Sequence, residues 1–314
     1  MENVKRKKSK GVAEKIFFGA LFVILCVYVI SLLFTLGWGV LTSLKSVADF
    51  EIKKNVLGLP SASLSADELK LGNYASLLSS FNFTLTNPFY RGAKLVIHST
   101  KVTVWNTLLY TFAFTAVTAI LNAFVPAIAA YMCAKYKFVS SKIIYTTNLV
   151  IMIIPIVGAY PSAIALLRSM GLYDTMIGYY IQNFNYSGMY FFVFYAFFES
   201  MTDAYSEAAE IDGASQYRVL FTIALPLAGK LLMTVWLLKF VAHWNDYSTI
   251  LLYLPTKPTL AFVIYRSFLS TTNGEHPVGE ITAGCMVLAA PLLAIFILFK
   301  DRLMGNLSLG GEKG

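Results

Sequence analysis

The chain has 314 residues, of which 57% are hydrophobic and only 13% charged. A soluble domain carries about a quarter charged residues, so there is too little polar surface here to coat a water-soluble globule, and an integral membrane protein is the class that remains. The net charge of +8 does not point to nucleic acid, because the basic residues gather at the ends of apolar runs and form no stripe with interleaved aromatics.

The chain opens on a basic tail, residues 1–15, beginning "MENVKRKKSK". An apolar run from Ile16 to Val40 follows. It is longer than a signal-peptide core and lacks a small-residue cleavage site. It is long enough to cross about 30 Å of hydrocarbon, and we read it as an uncleaved first helix with its tail in the cytoplasm. Further spans are predicted at about 103–133, 142–166, 177–199, 227–251 and 281–300. The apolarity is continuous, not alternating, so the backbone pairs within each segment as a helix and not across a barrel. The expected fold class is therefore all-α, a polytopic membrane protein with six transmembrane helices. One membrane domain is expected over 16–304, with a cytoplasmic C-terminal tail at 305–314.

Charge orients these spans. The tail, the turn with Lys135, Lys137 and Lys142, and the C-terminal "KDRLMGNLSLGGEKG" are basic and are placed in the cytoplasm. Loops at 167–176, 252–280 and about 42–101 then lie outside. In the last of these, "LPSASLSADELK" and "TNPFYRG" read as turns and short external helices. Pro126, Pro155 and Pro161 are expected to kink their helices.

Between the fourth and fifth spans lies an elbow at about 202–226, containing "EAAEIDGASQYRVLFTIALP". Thr202 or Asp203 can cap a helix start. Asp203, Glu207 and Glu210 are placed near its positive end. Gly213 suits the left-handed position that ends a helix, and Ser215 can cap a second one. Ala204, Ala208 and Ile211 share a face, with Ala209 beside it. Small side chains let such a helix sit deep in a partner's groove, while carboxylates meet basic groups at the rim. A helix lying on the membrane surface with no partner fits the same spacing.

No phosphate-binding loop is present: Gly229-Lys230 is the only Gly-Lys pair and lacks the flanking residues such a loop needs. The three cysteines, Cys26, Cys133 and Cys285, sit in separate apolar runs without metal or disulfide spacing. No cofactor is therefore expected on this chain, and no catalytic cluster marks an enzyme.

The elbow resembles a known signature. "EAA", three residues, Gly213, nine residues, then Ile223-Ala224-Leu225-Pro226 matches without gaps the EAA-x3-G-x9-I-x-LP pattern of binding-protein-dependent ABC importer permeases. "NTLLYTFAFTAVTAILNAFVPAIAAYMCAKYKF", "MIIPIVGAYPSAIALLRSMGLYDTMIGYYI" and "HWNDYSTILLYL" are similar to the maltose-transporter-like carbohydrate branch. The resemblance implies that the loop docks in a cleft of an ATPase subunit, with Glu207, Ala208, Ala209, Glu210, Asp212 and Gly213 as coupling residues. It implies a second related permease, two ATPase subunits holding ATP and Mg, an extracytoplasmic solute-binding protein and a sugar substrate. The alternatives are a self-contained secondary transporter or channel, or a permease of the same kind for a non-sugar solute.

Lys239, His243 and Asp246 fall on one face of the fifth span. A bare charge at mid-membrane costs about 2.5–3.5 kcal/mol, so these groups are expected to face protein or water and to line the solute route, contact the partner permease or pair structurally. Asn106, Asn122 and Asn148 are lone amides in apolar spans, read either as sugar contacts or as bridges between helices.

Overall fold

The computed structural model describes residues 12–46, 49, 57–58, 71–136, 138–154, 158–271 and 278–304. Most of the N-terminal tail, Lys137, Pro155, the tail 305–314 and parts of the loops at 42–101 and 252–280 lie outside the described residues. The chain divides into two compact units, 1–77 with 270–287, and 78–269 with 288–314.

In the first unit, α1 (Val12–Ser43) is predominantly apolar beyond Glu14 and Lys15 in its first turn. The segment Glu14–Ser43 has a mean hydropathy of 2.9 over its most apolar window, none of it buried by the rest of the chain. Such a helix buries its surface in lipid or against another subunit. Its C-terminal end is tied to α2 (Leu71–Ser80) by polar bonds. Asn73 Nδ2 donates to the carbonyls of Ser43, at 2.8 Å, and Lys45, at 2.9 Å. Ser76 Oγ donates to Glu280 Oε2 at 2.8 Å. A Cβ on Gly279 would lie 2.8 Å from the Lys45 carbonyl, so only glycine permits this approach.

The second unit begins with an antiparallel hairpin, β1 (Phe83–Arg91) and β2 (Lys94–Val102). The expectation of an all-α chain is corrected here, and so is the reading of "TNPFYRG" as a turn. Leu85 and Phe89 point inward while Thr84, Thr86, Pro88 and Tyr90 point out, an alternation of period 2 that favours strand. Pro88 is tolerated because a two-stranded sheet consists of edges. Such a hairpin is marginal alone. Here Phe89 packs edge-on against Tyr173 at 4.9 Å.

Next come α3 (Val104–Lys135), α4 (Val139–Ile153), α5 (Ala159–Met170), α6 (Met176–Asn183) and α7 (Met189–Ser200). The predicted spans 142–166 and 177–199 are thus each interrupted. Helix α3 is unbroken through Pro126. Pro161 sits in the first turn of α5, where a missing amide costs no hydrogen bond. The elbow holds α8 (Ala204–Ile211), α9 (Gln216–Val219), a π-helical turn (Leu220–Ala224) and α10 (Leu225–Leu227). After it run α11 (Gly229–Trp244), α12 (Ser248–Tyr253), α13 (Leu260–Thr271) and α14 (Val278–Met304). Within the loop expected at 252–280 lies α13, whose residues Leu260 to Ile264 are buried.

Among the described residues, three helices are long and apolar enough to cross a membrane. A fourth span arises if Gln216–Leu227 and Gly229–Trp244, bent by 72°, count as one.

The core of this unit is a small-against-large seam. Ala119, Ala123, Ala127 and Ala130 recur every three or four residues along α3 and are fully buried. Phe191, Phe194 and Phe198 of α7 are buried too, in the same cluster as three of these alanines and as Leu232 and Val235 of α11. Small residues let helix backbones approach closely in an apolar medium, where packing, not water, drives association.

Candidate functional site: the elbow and the polar residues of the helices

The elbow is built by local capping chemistry. Thr202 Oγ1 accepts from the amide of Ala204 at 3.2 Å. Asp203 takes the N-cap position of α8 without a side-chain cap bond. Its carboxylate instead receives Lys135 Nζ at 2.7 Å. At the far end, Gly213 has φ +79°. Its amide donates to the Glu210 carbonyl at 3.0 Å, and the amide of Ala214 to the Ala209 carbonyl at 2.9 Å. This pair of bonds is the Schellman ending, which satisfies two orphan carbonyls and reverses the chain. Ser215 Oγ then accepts from the amide of Arg218 at 3.4 Å and starts α9. The bend is therefore stiff at the residue level.

Glu207 lies in the first turn of α8. Glu210 lies in its last turn and Asp212 at its C-cap, so the placement of Glu210 near the positive end is corrected. No residue of α8 is buried. Ile211 is 87% exposed and Tyr217 79%. Behind the elbow, Pro226 supplies no amide, and the turn before it widens to a π-helix.

The polar residues of the fifth predicted span do not pair with one another among the described hydrogen bonds. Lys239 Nζ lies 5.0 Å from the Tyr190 ring centroid on α7, a cation–π distance. His243 meets Phe114 edge-on at 5.8 Å, and its buried Nε2 has no hydrogen-bond partner among the described residues. Asp246 Oδ1 accepts from the Thr249 amide, in the first turn of α12, at 2.9 Å.

The three amides are engaged with backbone. Asn106 Nδ2 donates to the Lys101 carbonyl at 2.9 Å and joins α3 to β2. Asn122 Nδ2 donates to the Thr118 carbonyl, at 2.9 Å, and to Asn183 Oδ1, at 3.4 Å. Asn148, fully buried, accepts from the Gly188 amide at 2.8 Å and donates to the Gly188 carbonyl at 3.4 Å. This clamp ties α4 to the break before α7. Removing it leaves two backbone groups without that partner, at about 1–3 kcal/mol. Asn148→Ala is expected to lower the unfolding temperature in detergent, and an unchanged temperature would refute the clamp.

Sequence reasoning missed a second polar centre. Asp174, 1% exposed, accepts from the Thr256 amide at 3.1 Å, Thr256 Oγ1 at 2.9 Å and Asn87 Nδ2 at 3.3 Å. His98 Nδ1 lies 3.1 Å from it. One carboxylate thus joins the hairpin, the α5–α6 turn and the segment after α12. Asp174 itself was visible in "GLYDT", but its partners lie 76 to 87 residues away in the chain.

Residues 126–309, which include the elbow, α11 and α14, match the family model described as binding-protein-dependent transport system inner membrane component. The chain belongs to this family. Among permeases of the family, the trehalose transport system permease protein SugB of Mycobacterium tuberculosis is 27% identical over 200 residues, covering 63% of this chain and 73% of that protein. The maltodextrin transport system permease protein MdxG of Bacillus subtilis is 26% identical over 258 residues, covering 80% of this chain and 88% of that protein. Among solved structures, a chain of a bacterial ABC transporter involved in importing the acidic polysaccharide alginate superposes with a TM-score of 0.67 at 18% identity, covering 96% of this chain and all of that one. That likeness establishes a shared permease fold.

Proposed function

We propose that this chain is one of two related permease subunits of an ATP-driven importer of a sugar or oligosaccharide. In this reading the chain crosses the cytoplasmic membrane six times, through α1, α3, α4 with α5, α6 with α7, α11 with α12, and α14. Both termini are cytoplasmic, and the hairpin and the Asp174 centre face outside. The elbow docks in the cleft of one of two ATPase subunits, which hold ATP and Mg, and an extracytoplasmic binding protein delivers the solute.

One observation carries the coupling role. A short, rigidly capped helix with no buried residue presents Ile211 beside carboxylates, a surface suited to an apolar groove with a basic rim. The names of the relatives support a carbohydrate as cargo. Lys239 and His243 are assigned to the solute route, because the buried Nε2 of His243 has no hydrogen-bond partner among the described residues. Asn106, Asn122 and Asn148 are assigned to packing, since backbone groups occupy them.

Purification from the native membrane is expected to bring down a P-loop ATPase. Reconstituted vesicles should then take up one member of a sugar panel only with internal ATP and the binding protein. Uptake by the chain without an ATPase would overturn the reading in favour of a secondary transporter.

A further inference from the structure

Lys135 is the last residue of α3, where a cation suits the negative end of the helix. An exposed lysine would serve that purpose equally well. This one is largely covered: its side chain is 9% exposed against 70% for Asp203. Its ammonium donates to two acceptors, the carbonyl of Met201 and the carboxylate of Asp203. Met201 is the C-cap of α7, and Asp203 is the N-cap of α8. A single charge therefore holds the ends of α3 and α7 to the start of the elbow.

Two further facts make this a rigid link. One turn earlier, Tyr131 packs edge-on against Phe198 of α7 at 5.2 Å, on the same seam that fills the core. Asp203, for its part, does not use its carboxylate to cap its own helix, the usual task of an aspartate there; Thr202 accepts from the Ala204 amide instead. The connection from α7 to α8 is only 201–203, so a displacement of α8 has little slack before it reaches Lys135.

We propose that Lys135 is a positioning residue that transmits movement of the elbow into the α3–α7 pair. This rests on the coupling reading above. Lys135 touches neither solute nor nucleotide; it acts through Asp203 and Met201.

The test uses the full complex in vesicles, with a photocrosslinker in place of Tyr205, which is exposed on α8 and is not one of the coupling residues, and sugar uptake measured per ATP hydrolysed. Lys135→Met is expected to keep the crosslink to the ATPase while uptake per ATP falls about tenfold or more, the scale of a lost charge-assisted bond. Lys135→Arg, which keeps the donor, is expected to restore most of the coupling. Uptake per ATP unchanged in Lys135→Met, with the crosslink intact, would overturn the proposal and leave the elbow reading standing. Loss of the crosslink in that variant alone would also overturn it, since Lys135 would then only hold the elbow's shape. No crosslink in the otherwise unaltered chain would sink both. Should Lys135→Met not reach the membrane, Asp203→Ala carries the same test with a mostly exposed side chain: a fall in coupling supports the link, and unchanged coupling refutes it.

Discussion

Gly213→Pro is expected to abolish sugar uptake while the protein still reaches the membrane. The backbone at Gly213 has φ +79°, and proline is locked near −65°. Proline also removes the amide that donates to the Glu210 carbonyl at 3.0 Å. The two losses together cost about 3 kcal/mol or more, enough to unmake the reversal between α8 and α9. The damage should be confined, because a Cβ at Gly213 would meet no atom within 4 Å and no residue of α8 belongs to the core. Gly213→Ala isolates the conformational part. It keeps the amide and costs only about 1–2 kcal/mol, so uptake should fall far less. Quantified membrane levels with transport assays check both. Wild-type uptake by the proline variant would show that the bend carries no force.

Asp174→Ala is expected to give a larger loss of stability than any substitution in the elbow. The carboxylate is 1% exposed and accepts from Thr256 twice and from Asn87, with His98 beside it. Removing one side of a buried charged network typically costs about 3–5 kcal/mol, because the donors left behind have lost water as well as their partner. The unfolding temperature in detergent should drop on the order of 10 °C. Asp174→Asn should fall between the two, since its oxygen can still accept from the Thr256 amide and asparagine tolerates the φ of +58° found there. An alanine variant that melts with the unaltered chain would mean that the hairpin is held by Phe89 and its aromatic neighbours alone.

The elbow was legible because capping is written in adjacent residues. Gly213 and Ser215 do what their chemistry demands, whatever surrounds them. The apolar runs announced helices for the same local reason. The break before α7 was not legible, because it is held at Gly188 by Asn148 from another helix. The hairpin was obscured by Pro88 and Gly92, which read as turn residues before the alternation around Phe89 is noticed. Lys135 looked like one more positive charge flanking a span. Its partner is 68 residues further on, a pairing that only the fold reveals. Glu210 was misplaced because α8 is only 8 residues long, so that three positions take the chain from Glu207 in its first turn to Glu210 in its last.

The wide turn at Leu220–Ala224 also fixes an azimuth. A turn that takes up one additional residue offsets everything on one side of it by about 100° relative to a regular helix. The compass direction in which Ile211 faces is therefore set by the pitch of five residues well behind it. A regular turn at that place would aim the same motif about a quarter of a circle away.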